Sequence, residues 1–169
     1  MHSPRASPEP ALFVAPTKNT GNGLFTRTAI RKGETAFFMS GSTYDFESRT
    51  KEDAARYENS ICIGVDRWLD PSPPYVFGNH SCNPNLGIRG TVELVALRGI
   101  KAGEELTYDY SITTDESLWT MECRCGSPRC RSTIRSFQFL SEEQYGRYFP
   151  YVGDHFQTLW SARPRVISA

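Results

Sequence analysis

Three of the five cysteines, Cys123, Cys125 and Cys130, fall in a C-x-C-x4-C cluster. Cysteine thiolates at such spacing are zinc ligands when no export signal argues for disulfides. Three thiolates leave a tetrahedral site one ligand short, and Cys82 or Cys62 can supply the fourth. Asn79-His80-Ser81-Cys82-Asn83-Pro84-Asn85 is a run of polar and turn-forming residues just after the apolar Val76-Phe77. It reads either as an Asx-rich turn or as an ordered loop in which Asn79 contacts a ligand and Cys82 a metal. His80 is either a further metal ligand or a loop anchor. In Glu105-Leu106-Thr107-Tyr108-Asp109-Tyr110, strand periodicity puts Leu106, Tyr108 and Tyr110 on one face. Two phenols on one face either pack in a core or orient a polar substrate atom while staying neutral. Gly21-Asn22-Gly23-Leu24 places two glycines before an apolar pair, which permits a tight turn or close backbone approach to a ligand.

These residues are carried by short runs separated by Gly, Pro and Asn. Ala11–Val14, Ala36–Met39, Ile61–Val65, Val92–Leu97 and Glu105–Tyr110 read as strands, so the domain is mostly β. Lys51 to Asn59 fits a short helix, and Ser141-Glu142-Glu143-Gln144 opens another with acidic residues in its first turn. Ala29-Ile30-Arg31-Lys32-Gly33-Glu34 is echoed by Gly99-Ile100-Lys101-Ala102-Gly103-Glu104, two polar turns with glycine at positive φ.

The chain has 169 residues, enough for one domain with a real core. With 19 Lys+Arg against 19 Asp+Glu the formal net charge is zero, which argues against a nucleic-acid coat or a polybasic membrane protein. No apolar stretch approaches the roughly 20 residues of a membrane-spanning helix. The Pro- and Ser-rich start lacks the apolar segment of a signal peptide. An intracellular protein is expected, with no membrane partner and no nucleic acid. Arg124, Arg129, Arg131 and Arg135 are expected to balance the thiolate charge.

Taken together and in this order, four motifs resemble the SET domain family of protein lysine methyltransferases. They are Gly21-x-Gly23, Asn79-His80-Ser81-Cys82-x-Pro84-Asn85, Gly103-Glu104-Glu105-Leu106-Thr107-Tyr108-Asp109-Tyr110, and the post-SET Cys123-x-Cys125-Gly126-x3-Cys130. The resemblance covers residues 11 to 135. It implies small curved sheets, few short helices, a C-terminal pseudoknot near the Asn-His motif, and a zinc-bound post-SET segment. The resemblance places a SET domain at 11–117 and a post-SET motif at 118–135; composition adds a Pro- and Ser-rich disordered tail (1–10) and an aromatic-rich extension (136–169). Gly21, Asn22, Gly23, Leu24, Asn79, His80 and Tyr110 are implied to hold S-adenosylmethionine. Tyr110 corresponds to the catalytic tyrosine, and Tyr108 to the position that sets how many methyl groups are added.

The resemblance also implies zinc on Cys82, Cys123, Cys125 and Cys130, leaving Cys62 an ordinary buried thiol. A monomer that monomethylates a protein or peptide lysine is the expected function. A non-catalytic SET-like binding module and a zinc-ribbon nucleic-acid binder are the alternatives. Two positions depart from the family pattern. Val76 stands where Arg is common near the cofactor, and Met39 where a tyrosine often faces the substrate amine. The aromatic residues of 137–169 are expected to pack into a core.

Overall fold

The computed structural model describes residues 11–45 and 58–163. The helix expected over Lys51–Asn59 lies almost wholly outside these residues, as do the first ten. Twelve short strands form among the described residues, in five small sheets. β1 (Leu12–Pro16) pairs antiparallel with β2 (Asn22–Thr26) across the Gly21 turn. β3 (Thr35–Phe38), β9 (Glu93–Ala96) and β8 (Leu86–Arg89) form one three-stranded sheet. β4 (Gly41–Asp45), β6 (Arg67–Pro71) and β5 (Ile61–Gly64) form another. β7 (Asn79–His80) runs parallel to β10 (Thr107–Tyr108), and β11 (Thr120–Glu122) pairs antiparallel with β12 (Thr133–Arg135).

The repeated turn motif has a structural meaning. In each copy a glutamate accepts from a backbone N–H three residues earlier, Arg31 to Glu34 and Lys101 to Glu104. Gly33 and Gly103 take φ of 83° and 80°, a region that disfavours side chains with a Cβ. The two copies then pair through Ile30 and Ile100, whose reciprocal backbone bonds are 2.9 and 2.8 Å. Both isoleucines are buried, so the echo ties the N-terminal half of the fold to the segment that leads into the Tyr108–Tyr110 motif.

Among the described residues two α-helices form, both toward the C-terminal end. α1 (Glu142–Tyr148) begins with a capping box: Ser141 Oγ accepts from Gln144 N, and the Gln144 side chain accepts from Ser141 N. Such caps satisfy N–H groups that a helix start leaves open. α2 (Asp154–Ala162) buries Phe156 and stacks Trp160 on Tyr145 with ring centroids 3.9 Å apart. Phe137, Leu140, Tyr145, Tyr148, Val152 and Phe156 belong to the same continuous core as Leu24, Phe37, Leu86 and Leu94. The aromatic extension therefore builds core, as its composition implied. Phe139 and Phe149 are the exceptions and stay exposed. A smaller cluster holds Cys82, Cys123 and Ile134 apart from the main core.

The Glu105–Tyr110 run is a strand over only two residues. Asp109 ends it by accepting from Ser111 N at 3.0 Å, which starts a 3-10 turn at Tyr110–Ile112. The single-face reading of Leu106, Tyr108 and Tyr110 is therefore replaced by a strand followed by a turn. Leu106 goes into the core, while the Tyr108 and Tyr110 rings still meet, their centroids 5.2 Å apart.

Candidate active site

Two cavities flank the Tyr110–His80 pair. One, of about 250 Å³, is lined by Tyr44, Trp68, Val76, Tyr108, Tyr110 and Trp119, with Glu58 and Glu116 also on its walls. The other, of about 310 Å³, is lined by Lys18, Asn19, Asn79, His80, Glu104 and Glu105 among others. They share no lining residue. The His80 and Tyr110 rings, centroids 5.5 Å apart, join their walls.

Long-range hydrogen bonds place this wall. The Asn79 side-chain amide donates to Asn22 O and to Glu105 Oε1, both at 2.9 Å. A Cβ on Gly23 would lie 2.5 Å from Glu105 Oε1, 2.6 Å from Thr17 Cγ2 and 3.1 Å from Asn79 Nδ2. A Cβ at Gly23 would thus press on the Glu105, Thr17 and Asn79 side chains where β2 meets Asn79. Asn85, almost fully buried, donates to Glu105 O at 2.7 Å and accepts from Thr107 N at 2.9 Å, while Ser81 N donates to Tyr108 O. The 79–85 loop thereby clasps the 105–110 segment alongside the parallel β7–β10 pair. Asn22 and Gly23 lie at this junction, and Gly21 makes the turn before it at φ 76°. Leu24 does not: it is fully buried in the core and contributes its carbonyl to Leu106 N.

Tyr110 donates its hydroxyl hydrogen to Gly78 O at 2.8 Å, which fixes the direction of the phenol. Burial, with the Glu105 charge adding to it, pushes the Tyr110 phenol up to about 12. Burial likewise raises Tyr108 well above the ordinary phenol range. Both are neutral donors and acceptors at physiological pH. Gly78 lies against Tyr108: a Cβ there would come within 2.8 Å of its ring.

His80 is buried, and that burial brings its imidazole down to about 4. Its Nδ1 accepts from Tyr110 N at 3.2 Å, so the proton of the neutral ring sits on Nε2. Nε2 lies 3.2 Å from Cys82 Sγ and donates to it. The anchor reading of His80 is the one this tautomer supports.

Cys82, Cys123 and Cys125 gather with His80, their ligand atoms within 4.8 Å of one another, while Cys130 stands outside that set. Cys82 Sγ is 3.7 Å from Cys123 Sγ. The Cys130 thiol interacts with those of Cys123 and Cys125. Four sulfurs at about 2.3 Å from a tetrahedral zinc would stand about 3.8 Å apart, so the Cys82–Cys123 spacing fits the ion. Backbone N–H groups of Arg131 and Ser132 donate to Cys82 Sγ and Cys130 Sγ, each at 3.4 Å. Cys62 lies in a different part of the fold, with Asp115 and His155.

Of the four arginines expected to balance the thiolates, Arg131 does so, donating from Nε to Cys82 Sγ at 3.4 Å. Arg124 pairs instead with Glu122, and Arg135 stacks 3.4 Å over the Phe139 ring. Arg131 also donates to Ser111 Oγ and, at 2.6 Å, to Asp109 Oδ1. The fully buried Asp109 accepts from Tyr148 OH as well, at 2.6 Å. This carboxylate links the cysteine segment, the Tyr110 turn and α1. Sequence reading missed it because strict alternation turns Asp109 away from Tyr108 and Tyr110. The signal was Asp109 standing two residues before Ser111, a side-chain cap that ends a strand.

Met39 is buried in the core, and Tyr44, from β4, supplies an aromatic wall of the first cavity. Val76 lines that same cavity.

A family model of the SET domain matches residues 21–111. The chain belongs to the SET domain family. Among curated relatives it is 34% identical over 137 residues to the Histone-lysine N-methyltransferase NSD3 of Mus musculus, covering 72% of this chain and 10% of that protein. It is 35% identical over 144 residues to the human Histone-lysine N-methyltransferase, H3 lysine-36 specific, covering 76% and 5%. Identity reaches 44% over 129 residues with the human Histone-lysine N-methyltransferase 2B, covering 66% and 5%. The chain thus spans a tenth or less of these relatives. The methyltransferase domain of human SETMAR superposes with a TM-score of 0.59 at 26% identity, over 76% of this chain and 59% of that one. KRYPTONITE shares the fold with a TM-score of 0.60 at 22% identity, over 74% of this chain and 29% of that one.

Proposed function

We propose that this SET domain transfers a methyl group from S-adenosylmethionine to the side-chain amine of a protein lysine and stops at the monomethyl product. The observation that carries the reading is the Tyr110 hydroxyl, fixed on Gly78 O at the wall between two cavities. The larger cavity is the cofactor side. Its Asn79 amide and the mixed charges of Lys18 and Glu105 suit a zwitterionic amino acid joined to a nucleoside. Gly21, Asn22, Gly23, Asn79, His80 and Tyr110 are assigned to the cofactor, with Leu24 acting only as packing behind Gly23. When bound, S-adenosylmethionine supplies an electrophilic methyl group on a positively charged sulfur, which an amine displaces in line.

The smaller, aromatic cavity is the lysine channel. A lysine of pKa about 10.4 must lose its proton, which costs about 4.6 kcal/mol at pH 7. Tyr44, Trp68, Tyr108 and Trp119 exclude water there and lower that cost by disfavouring the ammonium. Tyr110 spends its hydrogen on Gly78 O, so its oxygen lone pairs are left to accept an amine N–H and aim the nitrogen. A phenol with a pKa of about 12 orients and polarises; it is a poor base at neutral pH. Tyr108, packed beside Tyr110, limits the room for a second methyl group. Cys82, Cys123, Cys125 and Cys130 would hold a structural zinc whose role is to fix the 123–131 segment against Asp109 and the Tyr110 turn. His80 and Arg131 then donate to the Cys82 thiolate rather than ligate.

Titration calorimetry with S-adenosylmethionine, followed by labelled-methyl transfer to lysate proteins and mapping of the labelled residue, tests this reading. Binding and label on lysine are expected. Binding without label on any protein, lysine included, would leave a non-catalytic module and overturn it.

A further inference from the structure

A second cluster of metal-ligating side chains lies away from the cysteine cluster. Cys62 on β5, Asp115 in the segment after the 3-10 turn and His155 in the first turn of α2 bring their ligand atoms within 4.8 Å of one another. His155 Nε2 is 2.8 Å from Asp115 Oδ2, and the Cys62 thiol donates to Gly64 O at 3.3 Å. We propose that Cys62, Asp115 and His155 form a second metal site that takes a divalent transition ion of the zinc class and ties α2 to the wall of the lysine channel.

The donor set selects the ion. One thiolate, one imidazole and one carboxylate suit zinc and its transition-metal neighbours, whereas calcium and magnesium favour oxygen alone. Ligands drawn from three separate elements are already converged, so binding needs the 2.8 Å His155–Asp115 contact to open by only about half an ångström to reach tetrahedral ligand spacing. A cavity of about 10 Å³, the size of a single water or ion, borders Cys62 and His155, with Asp115 outside its lining. The Asp115 side chain is 32% exposed and that of His155 11%, which gives an entry path from solvent and a fourth position for water.

The site also reaches toward the chemistry. Thr114 and Glu116, the neighbours of Asp115, line the lysine channel, and Thr113 O accepts from Cys62 N at 2.7 Å. An ion here pins the 113–116 segment between β5 and α2. It is a structural tie built from this chain's own C-terminal helix, and its existence does not depend on the methyl-transfer reading.

The test is titration of the metal-free, reduced 169-residue chain with Co²⁺, followed by absorption. Wild type is expected to take two equivalents. The first gives the strong thiolate-to-cobalt charge transfer of the four-cysteine site, and the second a weaker band from a single thiolate. Cys62→Ser and His155→Gln should each lose the second equivalent and keep the first, while Cys82→Ser should keep the single-thiolate band. Saturation of the wild type at one equivalent would overturn the proposal, as would a second equivalent that survives in His155→Gln. If Cys62→Ser does not fold, His155→Gln and Asp115→Asn, at more exposed positions, decide the matter in the same way.

Discussion

Arg131→Met should destabilise the protein far more than loss of one surface ion pair would. Arg131 holds Asp109 at 2.6 Å, and the carboxylate is fully buried while the guanidinium side chain is 20% exposed. Removing the arginine leaves Asp109 only the Ser111 N–H and Tyr148 O–H as close donors, with His80 Nδ1 unprotonated 3.4 Å away. Stranding a buried charge costs about 3–5 kcal/mol, and the partial exposure of Arg131 points to the lower end. At about 2–4 °C per kcal/mol for a chain of this size, Tm should fall by roughly 6–12 °C. Urea unfolding at fixed zinc, with metal content checked in each variant, measures the loss. In Arg131→Met/Asp109→Asn the stranded charge is gone while the Asn can still accept from Ser111 N. The double variant should therefore be more stable than the two single losses sum to, by about 2 kcal/mol. A single-variant cost below about 1 kcal/mol, or a cycle that is additive, would refute the view that this ion pair locks the cysteine segment onto the Tyr110 turn.

Gly23→Ala should weaken S-adenosylmethionine binding at least tenfold in calorimetry, because the new methyl would sit 2.6 Å from Thr17 Cγ2 and crowd Asn79; unchanged affinity would remove Gly23 from the cofactor wall. Tyr108→Phe should convert a monomethylating enzyme into one that makes dimethyl product, read by intact mass of a methylated peptide. Abundant trimethyl product from the wild type would show that Tyr108 does not restrict the channel. Cys82→Ser should lose the zinc of the four-cysteine site by metal analysis, with Cys125→Ser as its companion, and retention in both would refute the assignment.

The parts of the site that share a short stretch of chain were legible in the sequence. Asn79 to Cys82 and Cys123 to Cys130 each carry their residue types at fixed spacing, and the turn motifs at Gly33 and Gly103 announce their own backbone. What could not be read were positions that depend on distant partners. Asp109 belongs to an alternating run; its cap on Ser111 is local, but its Arg131 and Tyr148 partners come from far along the chain. β6 and β8 are strands because β4, β5 and β9 lie beside them, and four- or five-residue segments have no preference strong enough to show alone. α2 has apolar residues at Phe156, Leu159 and Trp160 in helical spacing, but its nine residues owe their stability to the aromatic core they complete.

Methyl transfer by Tyr110→Phe beside wild type, followed by intact mass on a lysine peptide taken from a labelled lysate protein, tests the central claim most directly. The substitution removes one hydroxyl, and with it the bond to Gly78 O, while keeping the ring against His80 and Tyr108. Wild type should add a single methyl group to the lysine. Tyr110→Phe should bind S-adenosylmethionine within a few fold of wild type and lose most turnover, about a hundredfold or more. Near-normal turnover in Tyr110→Phe would contradict the account and reduce Tyr110 to a packing residue.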